Sequence, residues 1–470
     1  MGLATSDARP PSPAPLPPVF ESFTFRERYT GRLPEWLLSR LEALGFVRVT
    51  RVQAAALETL LPSPHHSDES PSDAVIMAET GSGKTLSYLL PMLARVNPRR
   101  AAVQGLILVP TPELGVQVAR VARRLAAGYR TDARTTPVDR QRLLVSALLT
   151  SSSLARQRKM LRGAPPTILV GTAAPVHALA TAGTLRLHSV AVAVIDEVDA
   201  NLLSPDNRQQ LHEVLTEHCI SRIGEPRRTV FASATVPQHR HFVSYAVQQK
   251  WLQPTARLVT IGTHEAWNGL SLEAVMARGA AEWATAAASP ASSLPPGITH
   301  WYALCRAPNK KLKALAFLIR EALRRQPDLR MMVFCHRSRP LDTIADYLHQ
   351  WQVVAPERLT ILREDLGKRA RRTAIEGYRT GAQQVLLTTD MAARGLDIPE
   401  TTHVINFDLP PDADTYLHRA GRTGRIGRGG ITLSLVVPGE QFVVDRFANR
   451  LGIAFQPMEE AFAPERGTER

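Results

Sequence analysis

The sequence predicts an α/β protein whose chain forms two parallel sheets, and three observations support this fold class. Nine short apolar runs rich in Val, Ile and Leu recur along the chain, separated by longer stretches that can form helices. Continuous apolar runs of this length are typical of strands buried on both faces of a parallel sheet. A stretch rich in Ala, Ser and Pro divides the runs into two groups. The length of 470 residues and a hydrophobic content of 44% are sufficient for two cores.

The predicted strands fall into one group of five and one group of four. The first group comprises Ala74–Met77, Gly105–Val109, Thr167–Val170, Val190–Ile195 and Thr229–Ala232. The second group comprises Met331–Cys335, Val385–Thr388, His403–Phe407 and Ile431–Val437. Because parallel strands are joined by right-handed crossovers, we expect mostly parallel sheets with helices on both faces.

The composition also predicts where the two domains begin and end. We expect the first domain to span residues 20–278 and the second to span residues 298–460. The linker between them is predicted at residues 279–297, where little apolar periodicity remains. Residues 1–19 predict a disordered leader, because Pro and Ala dominate and no secretory or transit pattern is evident. Residues 461–470 are predicted to be a tail.

Positive charge is concentrated in one part of the chain. The whole sequence has 57 Lys and Arg against 43 Asp and Glu, a net charge of +14. Residues 99–162 contain 13 Lys or Arg and 3 acidic residues, so this segment alone carries +10. Such a concentration favours a localised basic face and a polyanionic partner such as a nucleic acid. A basic surface that is merely solvated is the alternative that charge alone leaves open.

Several other functional classes receive no support from the sequence. Cys219, Cys305 and Cys335 lack the spacing of a disulfide framework or a cysteine metal site, which favours a reducing compartment. His239 and His241 lack clustered partner ligands, so we expect no zinc site. No apolar run is long enough to span a bilayer, and we expect no membrane partner.

The strongest local motif directly follows the run Ala74–Met77 and reads Ala-Glu-Thr-Gly-Ser-Gly-Lys-Thr. In such a loop the backbone N–H groups surround phosphates, the lysine reaches the β- and γ-phosphates, and the final hydroxyl holds Mg²⁺. A chance glycine-rich turn is the alternative, and the preceding strand argues against it. We predict that the whole motif binds ATP, which implicates Ala78, Glu79, Thr80, Gly81, Ser82, Gly83, Lys84 and Thr85.

A second motif, Asp196-Glu197-Val198-Asp199, ends the apolar run Val190–Ile195. A carboxylate at the carboxyl end of a parallel strand lies where the Mg²⁺ of a nucleotide is held. We therefore predict that Asp196 binds the Mg²⁺ shell, together with Thr85, and that Glu197 orients or deprotonates the attacking water. A solvated acidic turn is the alternative, which the preceding apolar strand disfavours.

Further motifs follow in a consistent order. In the first half these are Gly45-Phe46 with Thr50, Val52 and Gln53, and Ser233-Ala234-Thr235. In the second half they are Val333-Phe334-Cys335-His336, Thr389-Asp390, Ala393-Arg394-Gly395-Leu396-Asp397 and His418-Arg419-Ala420-Gly421-Arg422-Thr423-Gly424-Arg425. From about Phe20 to Phe455, this set resembles the DEAD-box ATP-dependent RNA helicases, whose fold is two tandem RecA-like domains. The Asp-Glu-Val-Asp variant most resembles a plant chloroplast-type subgroup.

The resemblance implies roles for residues at the matching positions. Gln53 would read the adenine edge, Tyr29 or Phe25 would stack on the base, and Asp397 would bind the nucleotide. Arg422 and Arg425 correspond to arginine fingers from the second domain, so catalysis with Lys84, Asp196 and Glu197 would depend on domain closure. Coupling of ATP hydrolysis to RNA unwinding is implied for Ser233, Thr235, Asp199 and His418. RNA binding is implied for Thr111, Glu113, Thr172, Arg371, Thr389, Arg394 and Gly395.

The RNA-facing motifs of the first domain depart from the family pattern, whereas the ATP-facing motifs are nearly intact. Pro112 stands where the family carries arginine, and Ala173–Pro175 replaces a Pro-Gly-Arg sequence. Val198 replaces an alanine and should be tolerated if its side chain faces the core. The absence of two phosphate-facing arginines should weaken RNA binding. We hypothesise that the charge of residues 99–162 compensates, which would make binding more salt-sensitive and unwinding weaker.

The sequence therefore predicts an ATP-dependent RNA helicase that uses ATP and Mg²⁺ and contacts the RNA backbone without sequence specificity. The first alternative is an ATP-gated RNA clamp or ribosome-assembly factor with little unwinding. A DNA-directed helicase and an inactive scaffold are further alternatives, and the five catalytic groups disfavour the scaffold. We expect a monomer with ribonucleoprotein or ribosome-assembly partners. The resemblance alone implies a chloroplast location, with another reducing compartment as the alternative.

Overall fold

The computed structural model describes residues 20–62, 72–78, 82–129, 143–149, 157–159, 161, 164–202, 204–220, 227–233, 242–261, 267–277, 297–337, 339–393, 401–424 and 429–458. Within these residues the chain forms two seven-stranded sheets in which every strand pair is parallel. The predicted fold class, two tandem α/β domains, is confirmed. The predicted leader, tail and linker, except for Gly297, lie outside the described residues.

The first domain begins with a small antiparallel pair and continues into the first large sheet. The antiparallel pair is Phe20–Thr24 (β1) with Arg48–Thr50 (β2). The large sheet consists of Ala74–Met77 (β3), Gly105–Leu108 (β4), Val145–Leu148 (β5), Ile168–Gly171 (β6), Val192–Asp196 (β7), Arg228–Ser233 (β8) and Arg257–Thr260 (β9). Its strand order is β5-β6-β4-β7-β8-β3-β9.

Helices occupy both faces of this sheet. Within the described residues they are Phe25–Tyr29 (α1), Glu35–Ala43 (α2), Arg51–Leu60 (α3), Lys84–Arg95 (α4), Pro112–Ala126 (α5), Ala173–Thr181 (α6), Val198–Asn201 (α7), Pro205–Glu213 (α8), Phe242–Gln248 (α9) and Leu272–Ala277 (α10). A π-helical turn, Val214–His218, continues α8.

Alternation along the strands divides the first domain into two cores. Side chains that point to one face, such as Ile76 and Ile107, pack with α1 to α5. Their sequence neighbours Val75 and Leu106 point to the other face and pack with α6, α8 and Trp251. Because successive side chains of a strand point to opposite faces, continuous apolar runs serve both cores at once.

The second domain repeats this plan. Its strands are Ile298–Leu304 (β10), Met331–Cys335 (β11), Leu359–Leu362 (β12), Val385–Thr389 (β13), His403–Asn406 (β14), Gly430–Val436 (β15) and Phe455–Pro457 (β16), in the order β12-β13-β11-β14-β15-β10-β16. Its α-helices in the described residues are Lys311–Arg325 (α11), Arg339–Gln350 (α12), Lys368–Thr380 (α13), Asp390–Ala393 (α14), Ala413–Ala420 (α15) and Gln441–Leu451 (α16). Short 3₁₀ turns are Pro308–Lys310, Pro356–Arg358 and Pro438–Glu440.

All nine predicted strands are present, with ends within two residues of their predicted positions. The sequence missed the four edge strands β5, β9, β12 and β16, and also β10, which lies between β15 and β16. Their apolar runs are short or interrupted, and β5 and β10 are only partly buried. The three cysteines are buried and unpaired. Among the residues that the structure describes, no helix has the length and apolar character needed to cross a bilayer.

Candidate functional site

The carboxyl ends of the first sheet's strands meet at one edge, and the phosphate-loop motif begins there. After β3, Ala78 N–H donates to the Ser233 carbonyl at 3.2 Å, which ties the loop to β8. Gly83 precedes α4 with φ of +104°, and a Cβ there would lie 2.5 Å from Nε2 of Gln53. Glycine is therefore required at this turn, which directs the first N–H groups of α4 toward the loop. Glu79, Thr80 and Gly81 lie outside the described residues.

Lys84 and Gln53 each form a side-chain hydrogen bond to the backbone of this loop. The Lys84 ammonium donates to the carbonyl of Ala78 across the loop. Gln53 is only 4% exposed, accepts from the Thr50 N–H at 2.9 Å and donates to the Gly83 carbonyl at 3.4 Å. The Gln53 carboxamide therefore joins the start of α3 to the phosphate turn, and its contact with adenine stays a prediction.

The aromatic residues predicted to stack on a base are part of the core in this structure. Phe25 is 3% exposed and Tyr29 is 0% exposed, and the Tyr29 hydroxyl donates to the Ala54 carbonyl at 3.5 Å. Phe20, by contrast, is only partly buried and pairs across β1 and β2 with Thr50. Sequence reasoning missed Phe20, because only the strand pairing places it beside the Thr50–Gln53 cap.

Asp196 lies at the carboxyl end of β7, beside the phosphate loop. Its carboxylate is 5% exposed and accepts from the Tyr88 hydroxyl at 2.7 Å, while Tyr88 is also hydrogen-bonded to Thr85. Burial raises the pKa of Asp196, and the nearby Lys84 charge opposes that shift. Thr85 and Asp196, the two predicted Mg²⁺ ligands, are thus joined through Tyr88, which sequence reasoning did not single out.

Glu197 follows in a conformation that few side chains adopt. Its φ of 45° and ψ of 58° place it in the left-handed region between β7 and α7. Outliers of this kind cost about 1–3 kcal/mol and are concentrated at functional sites. Burial raises the pKa of Glu197, and the positive charge of Arg422 acts against that shift. The carboxylate that sequence analysis assigned to the attacking water therefore faces an arginine from the second domain.

A hydrogen-bonded chain joins the two domains next to this carboxylate. The Ser233 hydroxyl donates to Oδ1 of Asp199 at 2.8 Å, and His418 Nε2 lies 3.0 Å from Oδ2 of Asp199. Burial opposes ionisation of Asp199, yet the hydrogen bond from His418 lowers the pKa of Asp199 to about 2. Burial also disfavours charged His418, but Asp199 raises the pKa of the imidazole. Three of the four predicted coupling residues are therefore in direct contact, and Thr235 lies outside the described residues.

Val198 lies within the same motif and faces the interior. It is 1% exposed and packs in the core shared with α6 and α8. The condition under which its additional methyl groups should be tolerated, a side chain facing the core, is therefore met.

Two arginines of the second domain have different surroundings. Arg419 is 1% exposed, donates to both carboxylate oxygens of Asp390 at 2.6 and 2.7 Å, and donates to the Asp408 carbonyl at 2.7 Å. Arg422 is 8% exposed and acts electrostatically on Glu197. Arg419 therefore organises the second domain, whereas Arg422 faces the first. Arg425, the other predicted finger, lies outside the described residues.

The predicted RNA-binding residues of the first domain lie at the ends of β4 and β6. Thr111 caps α5 by accepting from the Leu114 N–H at 3.3 Å. Thr172 precedes α6 and is 6% exposed, and its buried hydroxyl has no hydrogen-bond partner among the described residues. Pro112 occupies the first position of α5 and Pro175 the first turn of α6, where an N–H is dispensable. These prolines are compatible with the helices, but they provide no positive charge.

The second domain brings Arg371 to the same edge. Its guanidinium lies 2.5 Å from Oε1 of Glu113 and donates to the Ala392 carbonyl at 2.9 Å. Thr389 donates to Glu364 and accepts from the Ala392 N–H at 3.2 Å. Two residues that the sequence assigned separately to RNA thus pair across the domains. Arg394, Gly395 and Asp397 lie outside the described residues.

Comparison with known proteins identifies the family. A DEAD/DEAH box helicase model matches residues 50–242, and a helicase conserved C-terminal domain model matches residues 310–427. The chloroplastic DEAD-box ATP-dependent RNA helicase 58 of Arabidopsis thaliana is 34% identical over 93% of this chain and 84% of that protein. The protein of the same name from Oryza sativa subsp. japonica is 33% identical over 94% of this chain and 91% of its own length.

A solved structure supports the fold. S. cerevisiae Dbp5 bound to RNA and ADP BeF3 superimposes with a TM-score of 0.71 at 24% identity, covering 91% of this chain and 95% of that chain. Both domains of the chain therefore have counterparts in sequence and in structure. The chain belongs to the DEAD-box family of ATP-dependent RNA helicases.

Proposed function

We propose that this chain hydrolyses ATP between its two domains and uses the cycle to bind and locally unwind RNA or to remodel RNA–protein complexes. The observation that carries this proposal is the contact between domains at Asp199 and His418, with the Arg422 charge directed at Glu197. A catalytic carboxylate and its arginine then come together only when the domains close. Hydrolysis is conditional on closure for this reason.

Each residue at the nucleotide site has a distinct task in this proposal. When ATP binds, the Lys84 ammonium gives up its hydrogen bond to the Ala78 carbonyl and contacts the β- and γ-phosphates instead. Glu197 accepts a proton from the attacking water, a role that suits a buried carboxylate with a raised pKa. Arg422, together with Arg425, stabilises the negative charge on the transferring phosphoryl group.

The residues beside the loop fit a Mg²⁺ ion. Asp196 is a buried carboxylate linked through Tyr88 to the Thr85 hydroxyl, and Mg²⁺ prefers such oxygen ligands together with nucleotide phosphates. When bound there, Mg²⁺ neutralises charge on the β- and γ-phosphate oxygens. Tyr88 orients the Asp196 carboxylate by donating a hydrogen bond to Oδ2.

Adenine recognition is assigned to Gln53, with Phe20 as the stacking partner instead of Tyr29. Phe20 is partly exposed and lies opposite Thr50, whereas Tyr29 is enclosed in the core. Substitution of Phe20 by alanine should raise the KM for ATP, and substitution of Tyr29 should reduce stability. The opposite pattern in nucleotide titrations and thermal unfolding would restore Tyr29 as the stacking residue.

RNA is proposed to lie along the edge formed by Thr111, Thr172, Arg371 and Thr389. Arg371 provides the positive charge, and Glu113 holds the guanidinium in place across the domains. Glu113 is therefore assigned a positioning role instead of a direct contact with phosphate. This arrangement reads the backbone, which is consistent with binding that does not depend on sequence.

The test is ATP hydrolysis by the purified chain with and without single-stranded RNA, using Glu197→Gln as the matched variant. We expect RNA to stimulate turnover and Glu197→Gln to lower the stimulated kcat by about 100-fold or more, since a general base contributes that much. The variant should still bind ATP, because Gln preserves the shape of the side chain. If the protein is folded and binds ATP but RNA does not increase its rate of ATP hydrolysis, the proposal is contradicted.

An ATP-gated RNA clamp is the second candidate, favoured by the prolines at 112 and 175. Both occupy positions where arginine would contact phosphate, so the first domain holds RNA with fewer fixed charges. A clamp would show RNA-stimulated ATPase activity but no strand separation. A short RNA duplex, incubated with the chain and ATP, distinguishes the two activities.

The remaining assignments rest on composition and relatives. We propose that residues 279–297 link a first domain of residues 20–278 to a second of residues 298–460, and that the chain acts as a monomer. A chloroplast location is proposed because the two relatives above are named chloroplastic. Ribonucleoprotein or ribosome-assembly partners are proposed from the resemblance of the sequence motifs alone. Fractionation of the source cells tests the location.

A further inference from the structure

One side of the first domain carries positive charge that the proposed catalytic cycle does not use. We define the β5 basic strip as five exposed residues: Arg120, Arg123 and Arg124 on α5, and Arg158 and Lys159 after β5. Among the described residues, none of the five forms an ion pair. No side chain in the described ranges therefore neutralises their charge.

The strip follows one edge of the first sheet. A Cβ at Gly115, near the start of α5, would lie 2.5 Å from the Leu149 side chain, at the carboxyl end of β5. Arg123 Nε donates to the Val145 carbonyl at 3.0 Å, at the other end of β5. α5 therefore runs along the whole edge strand in the opposite direction. At 1.5 Å per residue, Gly115 to Arg124 covers about 14 Å.

The strip is continuous with the proposed RNA-binding edge. Gln157 is 3% exposed and donates to the Leu149 carbonyl at 2.9 Å, which holds Arg158 and Lys159 beside the end of β5. On the other side of β5, Thr172 N–H donates to the Leu148 carbonyl at 3.2 Å. Positive charge therefore begins next to Thr172 and continues away from it along α5.

We infer that the β5 basic strip is an additional binding surface for the RNA backbone. RNA that leaves the edge at Thr111 and Thr172 continues along α5. This inference rests on the proposed function and names the route of the RNA beyond that site. The strip is the reason why the domain tolerates prolines at 112 and 175, because its cations bind phosphates next to the edge where the two arginines are missing. With about 3.4 Å per nucleotide of a helical strand, 14 Å corresponds to roughly four nucleotides.

The same basic segment contains a matched control. Arg99 and Arg100 are exposed and precede the amino end of β4, which is separated from β5 by β6, so they lie outside the strip and away from Thr111 and Thr172. Three double variants remove two positive charges each: Arg120→Gln with Arg124→Gln, Arg158→Gln with Lys159→Gln, and Arg99→Gln with Arg100→Gln. Arg123 is left in place because it bonds to the β5 backbone.

The measurement is the affinity of each double variant for single-stranded RNA of about 20 nucleotides, with a non-hydrolysable ATP analogue, at several KCl concentrations. Each strip variant should bind about 25-fold more weakly at 0.1 M salt, and its log–log salt slope should be shallower by about 1.4, since each phosphate contact contributes about 0.7. The Arg99 and Arg100 variant should match the unmodified chain. With RNA of about six nucleotides, within the range of a single-domain site, the strip variants should bind as tightly as the unmodified chain.

Equally weakened binding in all three variants would overturn the inference in favour of diffuse charge. Unchanged RNA affinity in both strip variants would also overturn the inference. An acidic protein would then be the partner to test for the strip. Failure of the proposed function is distinguishable, because the unmodified chain would then show no RNA-stimulated ATPase activity. ATPase activity without RNA should be the same in all variants, which excludes misfolding.

Discussion

Two regions of the first domain lie at the carboxyl ends of its strands. The nucleotide side contains Lys84, Gln53 and Asp196, and the RNA side contains Thr111, Pro112 and Thr172. The two regions differ in the hydrogen bonds that their side chains form. At the nucleotide side, Lys84, Gln53 and Asp196 each have a defined partner within the domain. At the RNA side, the buried Thr172 hydroxyl has no partner within the part of the chain that the structure describes, and Pro112 at the start of α5 carries no charge. The partners at the nucleotide side therefore belong to the first domain, whereas the proposed RNA edge also includes Arg371 from the second domain.

The second domain supplies two different contacts across the gap. His418 meets Asp199 near the nucleotide, and Arg371 meets Glu113 near the RNA edge. In both contacts the acidic partner belongs to the first domain, and the second domain supplies either an arginine or a histidine whose pKa is raised. Closure therefore joins the two sides at the same time, so ATP and RNA should each favour binding of the other.

The largest expected effect concerns the arginine at the nucleotide side. Arg422→Ala should lower the RNA-stimulated kcat by about 1000-fold, because an arginine finger contributes at least that much. ATP and RNA affinities should change little, since Arg422 acts on the transition state. Steady-state kinetics give kcat and KM separately. An effect confined to KM would assign Arg422 to substrate binding.

Arg419, three residues earlier, should affect stability instead of chemistry. Arg419→Met leaves the Asp390 carboxylate without its bidentate partner, which should lower the free energy of unfolding of the second domain by about 3–5 kcal/mol. Urea denaturation followed by tryptophan fluorescence measures the change. A variant of normal stability without ATPase activity would move Arg419 into the catalytic group.

The pair at the RNA side can be tested by a double-mutant cycle. If Glu113 positions Arg371, then Glu113→Gln and Arg371→Gln should each weaken RNA binding, and the double variant should bind only slightly more weakly than either. We expect a coupling of about 1–2 kcal/mol in RNA binding. Additive effects would show that Glu113 and Arg371 contact RNA independently.

A positive charge introduced at residue 112 should strengthen RNA binding without affecting the nucleotide side. Pro112→Arg should strengthen RNA binding about fivefold at 0.1 M salt, the contribution of one phosphate contact to a single strand. The ATP affinity in the absence of RNA should not change. Gln at the same position controls for removal of proline. Equal affinities of the Arg and Gln variants would show that residue 112 does not face phosphate.

The smallest effect is a pH dependence of closure. His418 has a raised pKa in the closed state, so its interaction with Asp199 is complete below the ordinary value of 6.5 and disappears as pH rises through the closed-state pKa. Asp199, with a pKa of about 2, stays ionised throughout this range. His418 is 33% exposed, so screening limits the effect to about threefold in RNA-stimulated activity. A profile from pH 6 to 9 measures it, and His418→Gln should flatten the profile.

The sequence alone was sufficient for the strands at the centre of both sheets and for the order of the motifs. Ala74–Met77 and Met331–Cys335 were predicted with the bounds they have in the structure. Central parallel strands are apolar on both faces, so their signal survives without knowledge of their neighbours. Edge strands such as Val145–Leu148 are partly exposed and carry a weaker pattern, and the sequence did not predict them.

The sequence by itself also predicted a chemical role for residues 78–85 and 196–199, because these motifs are local and follow buried strands. Only the tertiary structure decided which distant residues share a site: Tyr88 with Asp196, Phe20 with Thr50, and Arg371 with Glu113. The position of the basic residues of α5 beside β5 was likewise decided by the tertiary structure. The periodicity of a sequence indicates which face of a strand or helix is buried. Which two elements contact each other depends on how the whole chain packs.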